Sequence, residues 1–346
     1  MPRVYPARTV LAQRIRERRL TLEEFSEQLE LFARENSEVG TVSIRHVQRL
    51  AAGQFTSDRL RPATARLLER YFESPIEELL VSPETKVSDP ASVLDPGGME
   101  RLSIAAVQPC RTDEAAIEAL AAVLVGIRHL EDETSAAAVF STVQQQQNLA
   151  DRLAAGVRAQ ARPAAIGLSS EINQYLGWLS IPLGRWDDAD RYLDRAAVLA
   201  VEVDDSLRLS TALSFQAYAR LRRGDLRKAD SLSEAAQRDT RVHIGLRTYI
   251  AYQRAEVLAR DNDRASAVRL LTEADRMVGQ LPPPEGLPPS GYWYVPAFFI
   301  GQRGFVLRAL GDIQGARGAA LECLATMPTA WRDSEWAIRR RKLAEE

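Results

Sequence analysis

Apolar residues recur along nearly the whole chain at three- and four-residue spacing, and clear period-two alternation is lacking. That spacing puts one apolar stripe on a helix of 3.6 residues per turn, so the pattern predicts an all-α protein. Two segments interrupt it. Residues 81–103 carry Pro83, Pro90, Pro96, Gly97 and Gly98 among polar positions, and residues 281–289 read LPPPEGLPP. Proline lacks the amide donor a helix needs and restrains the residue before it. The first interruption reads as an interdomain linker and the second as an extended loop. The division is a small domain at 1–80, a linker at 81–103 and a large domain at 104–346.

The small domain spells out five short helices. The first spans 9–18, with Val10, Leu11 and Ile15 on one side. Thr21 and Glu24 form a capping box that opens the second, where Leu22, Phe25 and Leu29 share a face. After a polar stretch at 34–40, Ser43 is a good N-cap for IRHVQRLAAG. On that third helix Ile44, Val47, Leu50 and Ala51 face inward, while Arg45, His46, Gln48 and Arg49 face outward. Gly53 ends it as a left-handed cap. A fourth helix at 62–72 buries Ala65, Leu68 and Phe72. Ser74 and Glu77, with Pro75 at the first helical position, open the last. A helix that buries one side and offers Arg and Gln on the other has the parts for reading DNA. Arg can grip guanine O6 and N7 together, and Gln can do the same at adenine N6 and N7. The candidate DNA contacts are Ser43, Arg45, His46, Gln48 and Arg49. Arg59 and Arg61, with Arg14, Arg18 and Arg19, are candidates for the phosphates.

The segments TLEEFSEQ, SIRHVQRLAAG and RPATARLLERYFESPIEELL resemble, over residues 9–80, the Xre/Cro-type helix-turn-helix regulators. The resemblance implies DNA binding through the helix at 43–52. The family's inter-helix turn is short, whereas residues 31–42 intervene here, so either helix two is extended or the turn is a loop. Variants with such an insertion occur among actinobacterial regulators. The domain's charge is nearly balanced, with 13 Arg against 12 acidic residues in 1–80. Residues 45–70, however, hold six arginines against Asp58 and Glu69.

The large domain repeats itself. Four segments align on a turn residue (Gly184, Gly224, Asn262, Gly311) followed five positions later by Ala189, Ala229, Ala267 and Ala316. Seven further on stand Ala196, Ala236, Ala274 and Cys323. A Gly or Asn permits a tight turn, and small residues seven apart let an antiparallel helix lie close. One such pair cannot bury its own face, so pairs must stack. Residues 114–130 and 134–157 form a further, degenerate pair, and a helix at 331–343 caps the array. The segments resemble tetratricopeptide (TPR) repeats, with Leu176-Gly177 and Pro328 fitting best, although the repeat spacing exceeds that family's. The resemblance implies a TPR-like α-solenoid whose first helices line a concave groove. Mapped onto this chain, the groove holds Gln174, Trp178, Ser214, Tyr218, Tyr249, Tyr252 and Glu256, then Phe298 and Phe305. Such side chains combine apolar area with hydrogen bonds and suit a peptide. Tyr292-Trp293-Tyr294 is a candidate lid, dimer contact or buried plug, and the run Gln144–Gln147 reads as a solvated helix face.

Overall charge narrows the picture little: 45 basic against 47 acidic residues, with 45% hydrophobic content, fit an ordinary folded chain. No apolar run is long enough to span a membrane and the N-terminus lacks a signal-peptide core, so a cytoplasmic location with Cys110 and Cys323 reduced is expected. His46, His129 and His243 are far apart and away from the cysteines, so no metal site is expected. No Walker loop, GxGxxG, HExxH or GxSxG is present. Neither a cofactor nor an enzymatic activity is expected.

A helix-turn-helix head joined to a repeat array resembles the peptide-responsive regulators of Gram-positive bacteria. That resemblance implies a homodimeric transcriptional regulator that binds a double-stranded DNA operator and a peptide or protein ligand. The alternative is a TPR-type protein-interaction adaptor whose N-terminal module does not bind DNA.

Overall fold

The computed structural model describes residues 9–18, 20–36, 38, 42–55, 60–72, 74–80, 96–158, 160–283 and 287–345. These residues are helical with short connections, and no strand occurs among them. The chain divides into two compact units, Met1–Val87 and Ser88–Glu346.

The first unit holds α1 (Val10–Glu17), α2 (Leu22–Glu35), α3 (Ile44–Ala51), α4 (Pro62–Phe72) and α5 (Ile76–Leu80). The Thr21–Glu24 capping box forms as the sequence predicts. The inserted residues lengthen α2. Leu29 and Ala33 continue the buried stripe, so the helix runs on to Glu35. Val42, ahead of α3, is buried, and its carbonyl accepts from the Ser26 hydroxyl at 3.0 Å. Glu38 pairs with Arg70 on α4. The core joins Leu11, Ile15, Phe25, Leu29, Val47, Leu50, Leu68 and Phe72.

Three details differ from expectation. Ile44, in the first turn of α3, is 40% exposed rather than facing inward. Ala65 is only half-buried, and Leu67 takes its place in the core. The Ile76 amide, at the start of α5, donates to Glu69 of α4, while Ser74 accepts from Arg14.

The second unit opens with α6 (Pro96–Val107), so the last residues of the expected linker are helical. Proline at the first helical position explains why, since its missing amide costs nothing there. Residues 81–95 of that linker lie outside the described residues. The pairs follow: α7 (Glu114–Glu133) with α8 (Ala136–Gly156), α9 (Arg162–Ser180) with α10 (Trp186–Glu202), α11 (Ser206–Arg223) with α12 (Leu226–Ala236), α13 (Ile244–Arg260) with α14 (Arg264–Val278), and α15 (Pro296–Ala309) with α16 (Ile313–Thr326). The last helix is α17 (Glu335–Glu345). Consecutive helices pack, and so do α7 with α9, α9 with α11, α11 with α13, α13 with α15 and α15 with α17. This is the packing of an α-solenoid whose first helices share the inner side.

The four turn residues all take left-handed backbone: Gly184 φ 68°, Gly224 φ 81°, Asn262 φ 65° and Gly311 φ 85°. At three of them the next residue is an aspartate that caps the second helix. Asp225, Asp263 and Asp312 accept from the amides of Lys228, Ser266 and Gly315. The eight small residues that follow the turns are all buried. The helices of a pair approach closely where Gly177 of α9 meets α10: a Cβ there would lie 2.5 Å from Leu193 Cγ. Gly177→Ala is therefore expected to lower stability by about 1–3 kcal/mol through overpacking. Chemical denaturation checks this, and a variant as stable as the parent would show that the pair can open at no cost.

The array does not stay open. The 3-10 helix Thr329–Trp331 packs against α7, which belongs to the first pair. The Tyr292 hydroxyl, from the loop before α15, donates to Asp132 on α7 at 2.8 Å, and its ring lies 5.0 Å from that of His129. The end of the solenoid thereby touches its beginning, and the inner side becomes a ring.

Candidate functional site

On α3 the capping Ser43 and the side chains of Arg45, Gln48 and Arg49 are exposed, while Val47, Leu50 and Ala51 are buried opposite them. The Ser43 hydroxyl is taken up by the His46 amide, as an N-cap requires. Arg61 is also exposed, and its carbonyl starts α4. Arg59 and Arg19 lie outside the described residues. His46 does not stand among the exposed side chains. Its ring stacks on Phe55, centroids 5.0 Å apart and planes 5° from parallel, and it is half-buried. Burial, with Arg49 and Arg61 nearby, holds its pKa below the ordinary histidine value and favours the neutral ring. Arg49 lies over the other partner of that stack, its guanidinium carbon 4.5 Å from the Phe55 centroid, and reaches Gln54. The arginine is thus held in place at the exposed surface. Arg14 and Arg18 serve the fold. Arg14 donates to the Phe72 carbonyl and to Ser74, and Arg18 lies over Tyr71 and Phe72.

The second unit encloses a pocket of about 790 Å3, counting the space at its mouth. It is lined by Arg128, Glu131 and Asp132 of α7, by Gln174, Tyr175 and Trp178 of α9, and by Thr211, Phe215 and Tyr218 of α11. Tyr249 of α13, Phe298 and Gln302 of α15, and Trp336, Arg339 and Arg340 of α17 continue the wall, and Ser290, Tyr292 and Trp293 close it. The first helix of every pair contributes. The aromatic rings contact one another in sequence around the wall: Trp178 with Phe215, Phe215 with Tyr249, Tyr249 with Trp293, and Trp293 with Phe298.

Four expected groove residues reach this wall: Gln174, Trp178, Tyr218 and Tyr249; so does Phe298. Others do not. Ser214 is fully buried and its hydroxyl bonds the Thr211 carbonyl. Tyr252 points to α14, where its hydroxyl donates to Asp275 at 2.7 Å. Glu256 lies behind the wall, facing Arg339, Arg260 and Arg222, and burial raises its carboxyl pKa. Phe305 sits under Arg339, 4.3 Å from its guanidinium carbon. The Tyr292-Trp293-Tyr294 segment is wall rather than lid, with Tyr294 buried. Gln146 is not solvated: it is buried and donates to the Leu120 carbonyl.

The pocket's charges are unevenly satisfied. Arg128 donates to Glu171 at 2.8 Å, and Glu171 also takes Arg208 at 3.1 Å. Burial opposes ionisation of Glu171, but the two guanidinium groups overcome it and hold its carboxyl below the usual range. Arg339 donates to the Tyr218 hydroxyl at 2.7 Å. Arg340, fully buried, donates to the carbonyls of Trp336 and Phe298, and burial pulls it down to about 10. Glu131 differs. It is 3% exposed, and its Oε1 has no hydrogen-bond partner among the described residues. Burial, then Asp132 beside it, pushes its carboxyl up to about 8. Burial likewise raises Asp132 to about 6, against the hydrogen bond from Tyr292.

Among the described residues no group of three or more His, Cys, Asp or Glu could hold a metal ion. None of the helices they form is long and apolar enough to cross a membrane. Both cysteines are free thiols, Cys110 exposed and Cys323 buried. No model of a known protein family matches the chain, and no curated protein matches it.

Proposed function

We propose that the chain is a DNA-binding transcriptional regulator of the Xre type, acting as a homodimer, whose ring of helical repeats binds a ligand that alters operator affinity. The observation that carries this reading is the exposed strip Arg45, Gln48 and Arg49 on α3, backed by buried Val47, Leu50 and Ala51. Side chains of these types on one helix face can read base edges in a major groove. The pocket supports the sensory half of the reading. Its wall, mostly aromatic with a few buried polar groups, is of the kind that takes a compact ligand rather than an extended peptide. The ligand is accordingly a small molecule or the end of a peptide.

Selection of bound sequences from a random DNA pool by the full-length protein tests the proposal. An inverted repeat is the expected product, because a two-fold dimer presents two heads to two half-sites. Arg45→Ala and Arg49→Ala should each weaken binding to that sequence by about 1–3 kcal/mol, with helix content unchanged. Unchanged affinity in both variants would sink the reading. No recovered motif, together with a stable protein partner, would favour an interaction adaptor instead.

A further inference from the structure

We propose that the pocket in the repeat ring takes a small organic cation, a protonated amine on an aromatic or aliphatic body, with the ammonium seated at Glu131 and Asp132. The inference deepens the reading of this pocket as the ligand site and rests on it, but not on DNA binding by α3.

The first ground is the orphaned oxygen of Glu131. A buried carboxyl oxygen without a donor is costly, and this one sits in a pocket wall rather than in a packed core. A ligand ammonium brings three donors and no acceptor, which is what that oxygen lacks, and Asp132 beside it adds negative charge. Asp132 itself is already hydrogen-bonded, by the Tyr292 hydroxyl and by the side chains of Trp331 and Trp336.

The second ground is what surrounds the two carboxyls. Tyr175 and Trp178 lie beside Glu131, and Tyr292, Trp331 and Trp336 lie beside Asp132. Their apolar bodies exclude water, and the attraction between an ammonium and these acids strengthens where water is excluded. A carboxylate ligand placed here would meet two acids.

The third ground is that the arginines of the wall are already engaged. Arg128 is neutralised by Glu171, and Arg339 is held by the Tyr218 hydroxyl with Glu256 behind it. Arg340 is tied to two backbone carbonyls, and its Nε faces the α15 backbone: a Cβ on Gly301 would lie 2.0 Å from it. Besides the Glu131 oxygen, the Tyr175 hydroxyl and Arg340 Nε of this wall lack partners among the described residues, and the hydroxyl can accept from an ammonium as the carboxyl does.

Calorimetric titration of the full-length protein with three probes that share one body tests the proposal: phenethylamine, 2-phenylethanol and 3-phenylpropionate, with tryptamine as a bulkier amine. The amines are expected to bind at one site per chain, the alcohol about tenfold or more weakly, and the carboxylate least. Glu131→Gln and, separately, Asp132→Asn should each weaken the amines about tenfold while leaving the alcohol unchanged, with the melting transition showing both variants folded. Binding of the carboxylate as tight as that of the amines would overturn the proposal. So would amine binding indifferent to both substitutions, or no binding by either amine at millimolar concentration. A failed DNA selection would leave these titrations untouched, so the two readings can fail separately.

Discussion

Glu131→Gln is expected to stabilise the second unit at neutral and alkaline pH, and to do so increasingly as pH rises. In the unfolded chain this carboxyl titrates near its ordinary 4.5, whereas in the fold burial, then Asp132, pushes it up to about 8. Between those values the unfolded chain gives up the proton and the folded one keeps it. A raised carboxyl therefore favours the fold fully below about pH 4.5, and the advantage drains away as pH climbs to about 8. Across that window the loss is on the order of 3–5 kcal/mol, and glutamine, which never ionises, escapes it. Asp132 acts in the same direction over a narrower window, up to about 6. Urea denaturation of parent and variant at pH 5, 7 and 9 would measure the effect. A difference that stays constant with pH, or a variant that is less stable throughout, would show that Glu131 is ionised in the free protein.

Glu171→Ala is expected to cost about 3–5 kcal/mol, with the opposite pH signature. Its carboxylate lies between Arg128, whose side chain is 5% exposed, and Arg208, which is also bound to Asp205. Removing one member of a buried pair leaves the other desolvated and uncompensated, and this rather than the lost attraction makes the change severe. Because the folded-state pKa is depressed, the contribution is present above the ordinary carboxyl value and is lost as pH falls below it. The parent should lose stability in acid where the variant has little left to lose. Replacing the whole pair, Arg128→Met with Glu171→Leu, should restore most of the stability at pH 7. A loss below about 1 kcal/mol in Glu171→Ala alone would mean that water reaches the cluster and screens it.

The repeat turns were legible in the sequence because they leave marks on residue type. Only Gly or Asn adopts the left-handed backbone at 184, 224, 262 and 311 without strain, and only small side chains fit where the paired helices touch. The inner wall was legible in part. Trp178, Tyr218 and Tyr249 follow from assigning the first helix of each pair to the inside. Tyr252 and Glu256 were misplaced because the inner stripe is narrow, and a step of three residues along α13 turns the side chain toward α14. Glu131, Asp132, Trp336, Arg339 and Arg340 were not reached at all. They belong to the first pair and the final helix, where the repeat pattern is weakest, and only closure of the ring brings them together. One signal was present: Glu131 and Asp132 fall at positions of α7 that its 3.6-residue apolar stripe assigns to the interior. On α3, the outward set was readable from periodicity except for His46, whose stacking partner Phe55 lies beyond the end of the helix.

Joining the last 3-10 helix to α7 changes how the second unit must fold. In an open solenoid each repeat leans only on its neighbours, so unfolding frays from the ends and stability is nearly a sum of local terms. Here the ends hold each other, and the Tyr292–Asp132 hydrogen bond spans 160 residues of sequence. Contacts of such separation raise the contact order and slow folding, since the loop must close before they form. Fraying from either terminus becomes a global event, because losing α17 removes part of the wall that α7 also builds. The pocket is complete only when the ring is closed, and a ligand held in it reports on the integrity of the entire ring.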